Sequence, residues 1–290
     1  MRPSVTAFHH KATGSWTYVV ADPETAYAAI VDPVLDYDWR CGRTGTAPAD
    51  RVVAHCRASG LTVRWILETH AHADHLTAAP HIQSELGGTI AIGRGILAVQ
   101  RTFKRLFGLG EDFAADGRDF GRLLEDGEEL ALGGLVLRVI TVPGHTSDSV
   151  AYLIGDAVFV GDTVFMPDSG SARCDFPGGE ASLLYRSVQR LYALPSQTRV
   201  FVCHDYSPGG REPRCESTIG EQRSSNIHIR DGVSEQDYVH MRTARDATLE
   251  VPNLLIPAVQ VNIRAGRLPP ADADGIRYLR VPLNVLGRPL

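Results

Sequence analysis

The stretch "THAHADHLTAA", residues 69–79, places His70, His72, Asp74 and His75 within six positions, just ahead of an apolar segment. Imidazoles and carboxylates are donors to divalent metals, and four of them packed this closely point to a metal centre rather than to ordinary core polarity. The run before them, "VRWILET" (63–69), is rich in β-branched and aromatic residues and predicts a strand that ends at the histidines. After them, Thr77 is the expected cap of a helix that tolerates Pro80 in its first turn and stops at Gly87 and Gly88. The cluster therefore lies on a strand-to-helix turn. Alternate residues leaving a strand point to one side, so His70 and His72 converge while the turn brings in Asp74 and His75.

Further donors follow the same grammar. From about 123 to 166 the sequence is β-rich, with DG, GG and GD turns between runs of Val, Leu and Ile. His145 follows the run "LVLRVITV" (135–142), and Asp162 follows "DAVFV" (156–160). A helix predicted over Ala181 to Leu194, closed by Pro195, precedes "RVFVCHDY" (199–206), which delivers His204. Upstream, "SWTYVV" (15–20) and "AAIVDP" (28–33) read as strands, and an amphipathic helix runs from Pro48 to Ser59 with Gly60 as its stop. Every candidate donor thus sits at a strand end beside a glycine or a turn, and such ends cluster along one edge of a layered sheet fold. His9, His10, His55, His81, His228 and His240 lack this context and read as surface or packing residues.

The bulk properties narrow the function classes. The 290 residues, 43% hydrophobic and 22% charged, suffice for one large domain, read as a catalytic unit (1–230) with a C-terminal extension (231–290) packing on it. A net charge of −5 supplies no basic footprint for nucleic acid or an anionic membrane. Nearly all the 29 basic residues are Arg, the lysines being Lys11 and Lys104. No run suits a signal peptide or a membrane span, so a cytoplasmic location is expected. Five cysteines without a CxxC pair argue against both a disulfide framework and a thiolate zinc site, and Cys174 reads as a small packed side chain before a reactive one.

The motifs THAHADH, PGHT, GDT and CHDY, in this order, resemble the metallo-β-lactamase superfamily, which implies an αββα sandwich. Within it, "ETHAHADHLTA", "VPGHTSDS", "GDTVF", "SARCDFPGG", "CHDY" and "TIGEQRSSN" are similar to the glutathione-persulfide dioxygenases. The likeness runs over residues 8–230, and "PAVQVNIRAGRLPP" (257–270) is similar to their longer bacterial type. The resemblance implies oxidation of the outer sulfur of glutathione persulfide by O2 to sulfite, with release of glutathione, at a single Fe(II) per chain. Its implied ligands are His70, His145 and Asp162, two imidazoles and a carboxylate that leave open positions on the metal. His72, Asp74, His75 and His204 either complete a second metal position with Asp162 bridging, or orient the first set.

By the same resemblance Arg173 lies near bound glutathione, Asp205 holds that guanidinium, and Tyr206 is the tyrosine of the HDY signature, placed to hydrogen-bond a sulfur or oxygen group. An Arg–Asp bridge that merely orders the loop, and a merely packed tyrosine, are the competing readings of these residues. Asp148, where many superfamily members carry Gly, reads as a surface turn residue. The amphipathic stretch "SEQDYVHMRTARDATL" (234–249) is expected to cover either the cleft or a subunit interface, a homodimer being the family expectation. Two rivals keep the same ligands: a glyoxalase II-like dinuclear zinc hydrolase of glutathione thioesters, and a persulfide-binding module without catalysis.

Overall fold

A computed structural model describes residues 2–287; Met1 and residues 288–290, the outer ends of the two units expected from sequence, lie outside the described residues. The chain opens with β1 (Ser4–His10), β2 (Ser15–Ala21) and β3 (Tyr27–Val31), then β4 (Val34–Asp38), β5 (Arg43–Gly45) and α1 (Ala47–Ala58). Next come β6 (Thr62–Glu68), β7 (Leu76–Thr77), α2 (Ala79–Leu86), β8 (Thr89–Gly93), α3 (Ile96–Leu106) and β9 (Arg122–Leu124). The second half holds β10 (Glu129–Leu132), β11 (Leu135–Thr141), β12 (Val150–Ile154), β13 (Ala157–Phe159), α4 (Ala181–Tyr192), β14 (Arg199–Phe201) and β15 (Glu216–Thr218). Three helices close it: α5 (Ile219–Ser225), α6 (Glu235–Asp246) and α7 (Leu255–Asn262).

Two six-stranded sheets, ordered β1-β2-β3-β6-β8-β9 and β10-β11-β12-β13-β14-β15, face each other. The alternation of side chains along each strand decides what each face meets. From β2 and β3, Tyr18, Val20, Ala29 and Val31 point between the sheets, where they pack with Leu137, Tyr152, Phe159 and Phe201 of the opposite sheet. Their neighbours Val19, Ala28 and Ile30 point outward, into a core shared with α1, α2, α3 and α7. The outer face of the second sheet is covered by α4 and α6, through Leu184, Val188, Leu191 and Tyr238. This is the αββα sandwich, and no helix among the described residues is long and apolar enough to cross a membrane.

The element boundaries depart from expectation in small ways with local causes. The helix expected to be capped by Thr77 starts later, at Ala79; the Thr77 hydroxyl still accepts from the Ala79 N–H (3.0 Å), but it also donates to Glu68, which holds Thr77 in β7. The helix expected to reach Leu194 ends at Tyr192. The short strand β4 and helix α3 carry no isolated pattern that the sequence reading recognised.

Residues beyond 230 pack on both helical layers. α6 lies against α4, while α7 runs beneath the histidine-rich loop, where Asn262 is buried at 3% exposure. The Asn262 Nδ2 donates to the carbonyls of His72 and His75 (2.8 Å each), and its Oδ1 accepts from the Thr77 N–H (2.9 Å). Replacing Asn262 with Ala strands two buried carbonyls and one buried N–H. The expected outcome is a loss of about 2–4 kcal/mol in chemical denaturation, the sum of several unmade buried hydrogen bonds; a wild-type midpoint would show that this side chain is not holding the loop.

Candidate metal centre and substrate cavity

The loop after β6 is tied down on all sides. The Asp32 carboxylate, at the end of β3, accepts from the Thr69 N–H (2.8 Å), from the Thr69 hydroxyl (2.9 Å) and from His72 Nε2 (3.0 Å). Asp148 accepts from the Ala71 N–H (2.8 Å) and is buried at 1% exposure. The expectation of a surface turn at Asp148 is therefore corrected: an N–H at the heart of the loop needs an acceptor, and a glycine there would supply none. Gly161 precedes Asp162 at φ +53, and a Cβ on it would fall 2.6 Å from the Thr69 hydroxyl, so the two ligand-bearing turns touch through a bare backbone.

The donors fall into four overlapping groups among the described residues, two of which share Asp162; the others join His72, His75, Cys203 and His204, and Asp32, Glu68 and His72. His70, His145 and Asp162 offer atoms within 4.8 Å of one another, as do Asp74, Asp162 and His204. Asp162 faces both: Oδ2 lies 4.0 Å from His70 Nε2 and 3.7 Å from His145 Nε2, while Oδ1 lies 3.4 Å from His204 Nε2. Asp74 Oδ2 lies 3.2 Å from the same His204 nitrogen. His72 and His75 stack behind them, with Cys203 close by.

The second atoms of the rings fix which nitrogen is free. The Thr69 hydroxyl donates to Asp32, so it accepts from His70 Nδ1–H (3.0 Å), leaving the lone pair on Nε2. His145 Nδ1–H donates to the Arg173 carbonyl (2.7 Å), with the same result. Burial, reinforced by His72, presses the His70 ring well below its ordinary pKa, so it is neutral. Burial would raise the Asp74 carboxyl, but His204 and His75 beside it bring it down to about 2. A pocket of imidazoles this dry is costly unless something charged answers it. His70 Nε2, His72 Nδ1, His75 Nε2, both His204 nitrogens and Asp162 Oδ1 are buried with no hydrogen-bond partner among the described residues. Each such orphan costs about 1–3 kcal/mol, and those of His70, Asp162 and His204 that border the donor groups around Asp162 fit a bound cation, which relieves them.

A cavity of about 440 Å³ opens onto these donors, lined by His145, Asp162 and Tyr206 at one part and by Phe165, Phe176 and Leu249 along its walls. That volume is in the range of small-molecule sites. Tyr206 lies at the mouth, parallel to the His204 ring at 5.9 Å and edge-on to Phe165 at 5.4 Å. Arg173 lines the cavity too, but its guanidinium forks onto Asp175 (2.6 Å twice) and donates to the Glu250 carbonyl (2.6 Å). Asp205 does not hold Arg173 and does not line the cavity; Arg211 takes both its oxygens. The expected Arg173–Asp205 pair is thus replaced by two separate pairs, because each Arg finds a closer carboxylate in its own loop. Cys174 is buried, its thiol pushed up to about 12 by burial, which fits a packed side chain.

Several functional positions escaped the sequence reading. Asp32 and Glu68 end their strands as acids in otherwise apolar runs, and Asn262 is a polar residue inside the apolar α7; buried polarity at an apolar position was the available signal. His228, expected to be a surface or packing residue, lines the cavity, as do Arg242 and Arg245.

A family model described as "Metallo-beta-lactamase superfamily" matches residues 10–204. A relative named "Probable metallo-hydrolase" from Burkholderia pseudomallei (strain 1710b) is 50% identical over 98% of this chain and 100% of its own length. "Glyoxylase B2" of Dictyostelium discoideum is 48% identical over 95% and 94%. "Persulfide dioxygenase ETHE1, mitochondrial" of Homo sapiens is 29% identical over 87% and 84%. The crystal structure of ETHE1 from Myxococcus xanthus superposes with a TM-score of 0.72, at 28% identity over 91% of this chain and 100% of that one. Three relatives named "Beta-lactamase hydrolase-like protein" are longer, and the chain spans 65% of their length.

Two substitutions separate ligand from support. Asp162→Ala removes the carboxylate shared by both donor groups and is expected to abolish stoichiometric metal in the purified protein. Asp32→Asn, which loosens His72 and Thr69, is expected to weaken metal affinity by about 10–100-fold in a chelator competition. Wild-type metal content in the Asp162 variant would remove it from the centre.

Proposed function

The chain belongs to the metallo-beta-lactamase superfamily, and on that premise we propose that it oxidises the outer sulfur of glutathione persulfide with O2, using one Fe(II) held by His70, His145 and Asp162. The observation that carries this reading is the pairing of two imidazoles, each with its Nδ1 held in a hydrogen bond, and one carboxylate beside a largely apolar cavity. Two histidines and a carboxylate on one side of an iron leave positions for a sulfur ligand and O2. Likeness to the human persulfide dioxygenase and to the Myxococcus xanthus structure supports it. The reaction balances as persulfide plus O2 plus water giving glutathione, sulfite and two protons: the S–S bond breaks, the outer sulfur is oxidised and O2 is reduced.

Iron, when bound, supplies the redox chemistry and the open coordination positions. The chain's own groups do the rest. Hydrogen bonds from His70 to Thr69 and from His145 to the Arg173 carbonyl keep both ligand rings in one tautomer and orientation. Phe165 and Phe176 dry the cavity walls, which favours a sulfur anion at the metal over bulk water. The Tyr206 hydroxyl stands where it can donate to a sulfur or oxygen group, and Arg173, held by Asp175, stiffens the loop that carries the His145 hydrogen bond.

The second donor group, Asp74, Asp162 and His204, favours one other reading: a dinuclear hydrolase of glutathione thioesters. Metal analysis of anaerobically purified protein, with O2 consumption and thioester hydrolysis assayed in the same sample, separates the two. About one iron per chain, with persulfide-dependent O2 uptake and sulfite release, is the expected result. Two zinc ions per chain, no O2 uptake and thioester cleavage would replace oxidation with hydrolysis.

A further inference from the structure

The cavity shares part of its lining with a second space. A cleft of about 490 Å³ opens beside β4, lined by His10, Asp36, Tyr37, Asp38 and Arg40. Thr13 and Asp74 line both the cleft and the cavity, so the two spaces meet at these side chains. His75, next to Asp74, also faces the cleft.

A continuous run of hydrogen bonds crosses this meeting point. His10, 9% exposed, has both ring nitrogens engaged: Nε2 with Asp36 Oδ1 (2.8 Å) and Nδ1 with the Thr13 hydroxyl (2.7 Å). The Thr13 hydroxyl meets the Ser15 hydroxyl (2.6 Å), and the buried Ser15 donates to Asp74 Oδ2 (3.5 Å). The outer end is open to water, since the Asp36 side chain is 42% exposed. Every member between the two carboxylates is a hydroxyl or an imidazole, groups that both donate and accept. The run is therefore satisfied in either donor order. In one, Ser15 donates to Thr13, Thr13 to His10 Nδ1, and Nε2–H to Asp36; in the other, His10 Nδ1–H donates to Thr13, Thr13 to Ser15, and Ser15 to Asp74.

We propose that Thr13 and His10 carry protons from the cavity to the cleft. A proton released in the cavity joins the Thr13 oxygen as the Thr13 proton passes to His10 Nδ1 and the Nε2 proton leaves to Asp36 and the water of the cleft. One proton enters and one leaves. The hydroxyl and the ring keep their count, only O–H and N–H bonds change, and exchange of the ring between its two neutral forms resets the run. The need follows from the chemistry: both persulfide oxidation and thioester hydrolysis release protons, beside walls of Phe165 and Phe176 that keep bulk water out. The inference rests on turnover at this site, but not on which of the two reactions occurs there. His10 does not line the cavity and acts only through Thr13.

The test uses the full metal-loaded chain, with persulfide-dependent O2 uptake and thioester cleavage both assayed, and the variants His10→Gln, Thr13→Val and Thr13→Ser. His10→Gln and Thr13→Val should each lower kcat by about tenfold or more with KM and metal content near wild type, since a relayed proton is one part of acid–base catalysis. Thr13→Ser, which keeps the hydroxyl, should hold the wild-type rate, and added imidazole should restore His10→Gln. A packing defect would do neither. The solvent deuterium isotope effect on kcat should rise in both slow variants. In the metal-free protein, ring-nitrogen NMR should show His10 Nδ1 hydrogen-bonded in wild type and in Thr13→Ser, but not in Thr13→Val. Wild-type kcat in both His10→Gln and Thr13→Val would overturn the conduit while leaving the observed reaction in place. A loss that follows metal content and that imidazole does not mend would overturn it too, as would an unchanged His10 signal in Thr13→Val. Thioester cleavage without O2 uptake, slowed in the same variants and restored by imidazole, would uphold the conduit and overturn oxidation.

Discussion

The structure depends on keeping a dense group of imidazoles and carboxylates dry. Six nitrogen and oxygen atoms of this group are buried without a hydrogen-bond partner among the described residues, and burial of unanswered polar atoms is among the most destabilising features a fold can carry. The αββα architecture tolerates them because they occupy the edge where the two sheets meet, and because the loop that carries His70, His72 and His75 is held by hydrogen bonds on its other side. Asp32, Asp148 and Asn262 take up the loop's backbone groups and fix His72, so the orphan atoms are left facing inward by default. The antiparallel bridge of Ser15 with His204 and the hydrogen bond from the Trp16 N–H to the Cys203 carbonyl (2.8 Å) then lock the two sheets together at the level of the donors.

The same arrangement sorts the charges of the cavity. The carboxylates that face it, Asp74 and Asp162, both belong to the donor groups, and two of its three arginines are neutralised in pairs. In the pair Arg242–Asp246 both partners are committed to structure: the guanidinium also donates to the Ser171 carbonyl (3.1 Å) and Asp246 also accepts from the Cys174 N–H (2.8 Å), which holds α6 to the loop that follows Asp162. The three arginines on the cavity wall thus differ in what is left to them. What distinguishes them is not residue type but the balance of hydrogen bonds around each.

The sequence made the donors legible for a physical reason. A ligand must leave a strand end at a turn: His70 and His204 closely follow β6 and β14, His145 and Asp162 each follow a glycine, and the structure places all three histidines next to Asp162. The sandwich was legible through strand periodicity and turn residues. The partners of charged side chains were not. Arg173 and Asp205 lie near each other in the motif order, yet pairing depends on side-chain reach across loops: Arg173 folds back two residues to Asp175, and Asp205 meets Arg211. Asp148 was misread because exposure of a turn cannot be told from its residues, and this turn is packed under Ala71. Asn262 lies in the stretch 257–270 and Arg245 in 234–249, but neither stretch says what its polar side chains touch, which is set only once α6 and α7 have docked.

That docking bears on how the chain divides its labour. The matched family region, residues 10–204, contains every metal donor identified here. Tyr206, His228, Arg242 and Arg245 on the cavity, and Asn262 under the ligand loop, all lie beyond it. The metal donors therefore belong to the shared sandwich, whereas the cavity wall is divided: Phe165, Arg173 and Phe176 lie within the matched region, and Tyr206, His228, Arg242, Arg245 and Leu249 come from the residues that follow it. α6 contributes to the cavity wall and α7 to the loop that presents His72 and His75, so one C-terminal segment touches both the cavity and the donor loop. A change in α7 that displaced Asn262 would be felt at the donors through two backbone carbonyls. Relatives that keep the donors but differ beyond residue 204 can accordingly run different chemistry on different substrates over an unchanged sandwich.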